Sequence, residues 1–208
     1  MRTPEGLAIQ RILGKLKEEY NYSFEGKTAL DFFARDGTWQ TAYYADRVKE
    51  LHAWEIDASF EDSLRLNLPS NSKIKIGDSF ELASVHEANV FDIVILDNPQ
   101  GCYGATGEHC EHFEAIPAAL RLLRNSGGLI TFNVKTKPFN YEKNLEWQNA
   151  RNSFYGEDDC SSLTLEFLSD FYRKLFSSWG YDVNFALLEP RPHERNLYTY
   201  AAYLMRGI

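Results

Sequence analysis

Residues 91 to 101 read Phe91-Asp92-Ile93-Val94-Ile95-Leu96-Asp97-Asn98-Pro99-Gln100-Gly101. Ile93 to Leu96 are apolar without alternation and mostly β-branched, the pattern of a strand covered on both faces. The Asn-Pro-Gln-Gly that follows ends it, because proline and glycine break a ladder and favour a turn. Such a strand belongs in the middle of a parallel sheet flanked by helices.

The flanking sequence alternates to match. Upstream, Thr28 to Phe33 is a short apolar run closed by a Gly-containing loop. Periodicity then predicts helix over Thr38–Val48, strand over Leu51–Ile56, helix over Phe60–Leu68 and strand over Lys73–Ile76. Downstream, a helix at Phe113–Arg124 stops at Gly127-Gly128, and Leu129 to Val134 is the next central strand. A further helix spans Leu163–Trp179. Tyr181–Leu188 and Leu197–Leu204 then form two strands joined by a turn carrying Pro190, Pro192 and Asn196, so the final strand is antiparallel. Residues 1–20 open the chain as an amphipathic helix, with Thr3 as N-cap, Pro4 in the first turn, and Ile9, Ile12, Leu13, Leu16 and Tyr20 on one face. The expected fold is α/β: a doubly wound, mostly parallel seven-stranded sheet with an antiparallel C-terminal hairpin strand and helices on both faces. Residues 1–208 read as one domain. Lys135 to Ser162 is long, polar and irregular, which suits a substrate loop or lid.

Composition narrows the class. The chain has 208 residues, is 44% hydrophobic and carries formal net charge −8. That is ample for a packed core and excludes a disordered or fibrous chain. No apolar run approaches the ~20 residues of a membrane span, and the first residues open no signal peptide. The 3 widely spaced cysteines make no disulfide scaffold. A reducing, cytoplasmic setting is therefore expected.

Ligands of open α/β sheets bind at the carboxyl ends of the strands. Those ends carry acids here: Asp31, Glu55 with Asp57, Asp78, and Asp97. A phosphate site would want cations and backbone N–H groups instead. Carboxylates suit a ligand presenting hydroxyls, an amino group or positive charge.

At these positions the chain resembles class I S-adenosylmethionine-dependent methyltransferases. Leu30-Asp31-Phe32-Phe33-Ala34-Arg35-Asp36-Gly37-Thr38 resembles the family's first motif, in the variant found in amino-methylating DNA and RNA enzymes. Trp54-Glu55-Ile56-Asp57 is similar to the second motif and Gly77-Asp78-Ser79-Phe80 to the third. Phe91 to Gly101 lines up on the fourth, whose amino-methylating form ends Asp/Asn-Pro-Pro-aromatic. Leu122 to Gly128 resembles the turn before the fifth strand.

The resemblance implies S-adenosyl-L-methionine as cofactor, held by Asp31, Phe33, Arg35, Gly37, Glu55, Ile56, Asp78, Ser79 and Phe80. Asp31 would meet loop N–H groups and the cofactor's amino group, Glu55 the ribose hydroxyls, and Asp78 the adenine amino group. Asp78 equally suits a helix cap. Asp97, Asn98, Pro99 and Gln100 would carry catalysis. The polar side chain and the following carbonyl accept hydrogen bonds from a target amino group and aim its lone pair at the methyl. The family's aromatic that stacks on a target base is Gln100 here. Tyr103, three residues on, is the candidate replacement.

Arg35 departs further. The family usually has glycine there, because backbone approaches the cofactor closely and often at positive φ. An arginine requires the loop to take another path, and its guanidinium would pair with the methionyl carboxylate. The alternative is a side chain pointing to solvent.

Cys102, His109, Cys110 and His112 invite a zinc reading, but their spacing matches no usual ligand pair, and no metal is expected. Cys160 stands in the polar loop, where nothing lowers a thiol pKa. Charge by region speaks to substrate. Arg121, Arg124, Lys135, Lys137, Lys143 and Arg151 face only Glu142 and Glu146 in that stretch. Tyr141, Trp147 and Phe154 interleave with them. Basic side chains among aromatics suit a nucleic acid, RNA or DNA, with Lys135 and Lys137 as substrate contacts, and equally suit a charged lid. The expected activity is N-methylation of an amino group on a nucleic-acid base. Rivals are a methyltransferase acting on a protein or small molecule, a catalytically silent methyltransferase-like subunit, and a nicotinamide-dependent oxidoreductase, which lacks its glycines at Phe33 and Arg35.

Overall fold

The computed structural model describes residues 4–97, 101–138, 141–190 and 198–208. Nine strands follow in chain order among these residues: β1 (Thr28–Asp31), β2 (Glu50–Glu55), β3 (Lys73–Ile76), β4 (Ile93–Leu96), β5 (Cys102–Tyr103), β6 (His109–Cys110), β7 (Gly127–Lys135), β8 (Tyr181–Pro190) and β9 (Tyr198–Gly207). The helices are α1 (Pro4–Tyr20), α2 (Glu61–Asn67), α3 (Ser79–Val85), α4 (Ala115–Leu122), α5 (Leu145–Tyr155) and α6 (Leu165–Ser178).

Seven strands form one sheet in the order β3-β2-β1-β4-β7-β9-β8. β1, β2, β3, β4 and β7 are parallel; β9 runs antiparallel to both β7 and β8. The order reverses between β1 and β4, which opens a crevice at their carboxyl ends. β5 and β6 form a separate two-stranded hairpin.

β4 is buried along its whole length. Ile93 and Ile95 join the core under α1 and α2, while Val94 and Leu96 join the core under α3, α4 and α6. The two-residue period of a strand divides its side chains between the two faces, so the sheet has helices on both. α1 buries Ile9, Ile12, Leu13 and Leu16; Tyr20, expected on the same face, is 41% exposed and meets Phe185 edge-on. Entry into β7 requires glycine. Gly127 has φ 97°, and a Cβ there would stand 2.2 Å from the Met205 carbonyl oxygen.

Three expectations are corrected. Thr38–Val48 is no α-helix: Thr41–Tyr43 forms one 3₁₀ turn, and Tyr43, Tyr44 and Arg47 donate to carbonyls three residues back. The run of Trp39, Thr41, Tyr43 and Tyr44 is poor helix material, and Asp31 captures the hydroxyls of Thr41 and Tyr44. Residues 135–162 are not irregular, since α5 lies within them. Asn144 caps it by accepting from the Trp147 N–H, and Gly156 ends it at φ 73°. Trp147, Arg151 and Tyr155, expected in an irregular polar loop, are buried. Lastly, Cys102 and Cys110 are not free thiols but a disulfide, because the β5–β6 register sets them directly opposite each other. The Thr3 cap and the turn with Pro192 and Asn196 lie outside the described residues. Among the described residues no helix is long and apolar enough to cross a membrane.

Candidate active site

At the carboxyl ends of β1, β2, β4 and β7 lies a cavity of about 530 Å³. Its wall includes the predicted Asp31, Phe33, Arg35, Glu55, Ile56, Asp78, Ser79, Phe80, Asp97 and Tyr103. Asn98, Pro99 and Gln100 lie outside the described residues. Gly37 is not in the wall; it takes φ 75° against Leu68 and closes the loop by donating to the Ala34 carbonyl. Lys135 and Lys137 are not in the wall either.

Asp31 is buried at the end of the short strand β1. Its carboxylate accepts from the Thr41 hydroxyl, from the Tyr44 hydroxyl at 3.3 Å and from the Phe33 N–H at 3.4 Å. Burial outweighs these bonds and pushes its pKa up to about 7, with nearby Asp97 adding to the rise. Asp97 in turn accepts from the Asn133 amide at 2.6 Å, a bond between the ends of neighbouring strands β4 and β7.

Glu55 holds the loop after β1. Its Oε2 accepts from the Arg35 N–H at 2.7 Å and its Oε1 from the Asp57 N–H at 2.9 Å. Arg35 itself takes φ 51°, so the loop keeps the left-handed turn that suits glycine, and the expectation of another path is corrected. An L-residue there costs roughly 1–2 kcal/mol. The Arg35 guanidinium carbon lies 4.5 Å from the Trp39 ring centre and 5.8 Å from that of Phe60. It makes no ion pair among the described residues. Among the described residues of the wall, Arg35 is the only lysine or arginine, against four carboxylates.

Asp78 does cap α3: its Oδ1 accepts from the Phe80 and Glu81 N–H groups. Its Oδ2 makes no hydrogen bond to a described residue. Ser79 donates to the Phe32 carbonyl at 2.6 Å and so ties α3 to the end of β1. Ile56 is 67% exposed, an apolar side chain at the cavity mouth. Phe80 stacks on His109 at 4.2 Å, and Tyr103 meets both Phe33 and His109.

Sequence reasoning missed Trp39, Thr41, Phe60, Gly104, His109 and Asn133 in the wall. Asn133 was within reach of the strand-end rule, had the rule been carried on to β7. Trp39, Thr41 and Phe60 follow the ends of β1 and β2 by a few residues. Nothing in the local pattern marks Gly104 or His109, which arrive on the hairpin.

The basic tract behaves differently from its sequence reading. Arg151 is fully buried and donates to Glu111, also fully buried, at 2.6 Å. Arg151 further donates to the Lys135 and Cys160 carbonyls, and Glu111 accepts from the Trp147 indole at 2.8 Å. Lys135 is 5% exposed over the Trp147 ring, and burial, with Arg151 nearby, lowers its pKa to about 8. Tyr141 and Trp147 are core residues. The charges and rings expected to meet a polyanion therefore hold α5 onto β6, and only Lys137 and Lys143 remain exposed without an ion pair to a described residue. Arg124 pairs with Asp92, and Arg121 donates to the His86 carbonyl. Cys160 is buried, and burial raises its pKa. His112 is buried beneath Tyr172, and burial lowers its pKa to about 3. Among the described residues no three histidines, cysteines or acids are grouped to hold a metal ion.

No protein-family model and no curated protein sequence matches the chain. Solved structures do. The chain is similar to a proposed RNA methyltransferase of Pyrococcus horikoshii at 20% identity and TM-score 0.60, over 100% of this chain and 87% of that one. It is similar to M. jannaschii TYW2, crystallised with AdoMet, at 16% identity and TM-score 0.57, over 100% and 78% of the two chains. It is also similar to a SAM-dependent methyltransferase of Thiobacillus denitrificans, crystallised with S-adenosyl-L-homocysteine, at 14% identity and TM-score 0.60, over 100% and 94%. The chain therefore has the Rossmann-like fold of S-adenosylmethionine-dependent methyltransferases.

Proposed function

We propose that this chain is an S-adenosylmethionine-dependent methyltransferase that methylates a nitrogen, with a nucleic-acid base as acceptor. The observation that carries the reading is the acid-lined cavity at the strand-order reversal, where Asp31, Glu55, Asp78 and Asp97 converge. Its size lies within the ~300–1,000 Å³ of small-molecule sites. Its donors and acceptors match the cofactor group by group. Each Glu55 oxygen accepts one backbone bond and has a second lone pair for a ribose hydroxyl. Asp78 Oδ2 suits the adenine amino group, and Ile56 offers an apolar surface to the ring. Asp31 would meet the cofactor's amino group, and Arg35 its carboxylate.

When bound, the cofactor supplies a methyl group on a sulfonium. The chain's part is to position the acceptor. Asp97, held by Asn133, accepts a hydrogen bond from the target amino group and orients its lone pair. The aromatic wall of Phe33, Phe80, Tyr103 and His109 provides planar surfaces for a base. Similarity to a proposed RNA methyltransferase supports the nucleic-acid part; the burial of Lys135 and Arg151 leaves little basic surface in 121–151 to add to it.

A thermal-shift screen with S-adenosylhomocysteine, S-adenosylmethionine and nicotinamide cofactors tests the reading. Ligand at 100 times its Kd stabilises by ~2.7 kcal/mol. A shift with the first two and none with the third is expected; no shift with either adenosyl ligand overturns it.

A further inference from the structure

We propose that Cys102 and Cys110 are a reversible thiol–disulfide site that sets how firmly one wall of the cavity is held. The bond closes the β5–β6 hairpin, and the same hairpin contributes Tyr103, Gly104 and His109 to the wall. That this wall borders a cofactor rests on the proposed function; the redox site itself does not.

Two observations point to a wall held by its cross-link. First, β5 and β6 pair over only two residues each, and isolated two-stranded hairpins are marginal in water. Second, the closed position leaves polar atoms unsatisfied. The Tyr103 hydroxyl and the His109 Nδ1 are buried and have no hydrogen-bond partner among the described residues. Each forgoes hydration with nothing in return, which favours opening. The His109–Phe80 stack, the Tyr103–Phe33 contact, the Glu111 N–H bond to the Gly101 carbonyl and the disulfide oppose opening, and the Arg151 pair holds Glu111 at the hairpin's end. Removing the covalent tie shifts this balance towards an open, hydrated hairpin.

The chemistry balances with a dithiol reductant. Cys102 is half-buried and Cys110 is buried, so an incoming thiolate attacks the Cys102 Sγ. The Cys102–Cys110 bond breaks, the Cys110 thiolate leaves and takes a proton, and a mixed disulfide forms at Cys102. The reductant's second thiol then displaces the Cys102 thiolate. Two electrons and two protons reach the chain, and the reductant becomes its own disulfide.

The experiment compares air-oxidised protein, dithiothreitol-reduced protein and the Cys102→Ser/Cys110→Ser variant. Hydrogen exchange of the segment spanning residues 101–111 is read first, without ligand. Faster exchange in the reduced protein and the variant than in the oxidised protein is expected; equal exchange overturns the proposal, as does alkylation of both cysteines in air-oxidised protein. Calorimetry with S-adenosylhomocysteine is read second. If the reduced hairpin is closed about a tenth of the time, affinity falls about tenfold, and the variant matches the reduced protein in either buffer. Equal affinities in both states overturn the link to the cavity. Binding to neither state, with the exchange difference intact, overturns the cofactor reading and leaves the redox site standing.

Discussion

The Arg35 N–H donates to the Glu55 carboxylate at 2.7 Å, while the Arg35 guanidinium lies over the Trp39 ring. One residue thus has its backbone fixed by an acid and its charge set in a wall whose described residues carry four carboxylates. The backbone bond survives any substitution except proline, so side chain and backbone can be tested apart. Arg35→Ala keeps the Cβ and its left-handed cost, and should leave the melting temperature nearly unchanged. On the proposed reading it loses a charge-assisted bond of roughly 1.5–3 kcal/mol, which lowers S-adenosylhomocysteine affinity by at least about tenfold. Calorimetric titration reads this directly, and unchanged affinity rules out the pairing.

Asp31 makes binding and stability depend on pH. Its folded pKa is raised to about 7 by burial, against about 4 for an exposed aspartate. Between these values the folded chain keeps a proton that the unfolded chain has lost. Asp31 therefore lowers stability as pH rises from about 4 to 7, by an amount on the order of 2–4 kcal/mol once both states are ionised. Asp31→Asn should flatten that part of the urea-stability profile and be relatively more stable at pH 8. A cationic ligand favours the ionised form, so wild-type affinity for S-adenosylmethionine should rise from pH 5.5 to pH 8 with proton release. Calorimetry in buffers of different ionisation enthalpy measures the release.

Asp97 and Asn133 link the ends of β4 and β7. Asp97→Ala should abolish methyl transfer to an accepted substrate while retaining S-adenosylhomocysteine binding within a few-fold. Loss of both together would move Asp97 from the acceptor to the cofactor. Asn133→Asp, which sets two carboxylates against each other, should raise the apparent pKa of the pair and shift the activity profile to higher pH.

Glu111 and Arg151 are fully buried partners. Glu111→Gln or Arg151→Met alone strands a charge or its hydrogen bonds, at a cost of about 3–5 kcal/mol. The combined Glu111→Leu/Arg151→Met variant should cost less than either single change. Urea denaturation of the three variants checks the ordering.

Much of the sheet was legible because β1, β2, β3, β4 and β7 are short runs with turn chemistry at both ends; Lys73–Ile76 was read with its observed limits. The acids at the strand ends were legible for the same reason, since a strand's end fixes where the next side chains point. Thr38–Val48 was misread because its apolar spacing is helical while Thr41 and Tyr44 serve Asp31 instead. The tract from 135 to 162 was misread because charge was counted without knowing which side faced inward. Arg151 and Glu111 are forty residues apart in the chain, and only tertiary structure pairs them. His109 reaches the cavity on a two-residue-per-strand hairpin, and no periodicity announces that.

The Glu111–Arg151 pair also ties two segments of the chain together. Its two ends lie on opposite sides of β7 in the chain, and neither charge tolerates burial alone. Burial of the segment carrying β5 and β6 and burial of the segment carrying α5 are therefore coupled. The flank that brings Tyr103, Gly104 and His109 to the cavity wall thus stands or falls with the seating of α5.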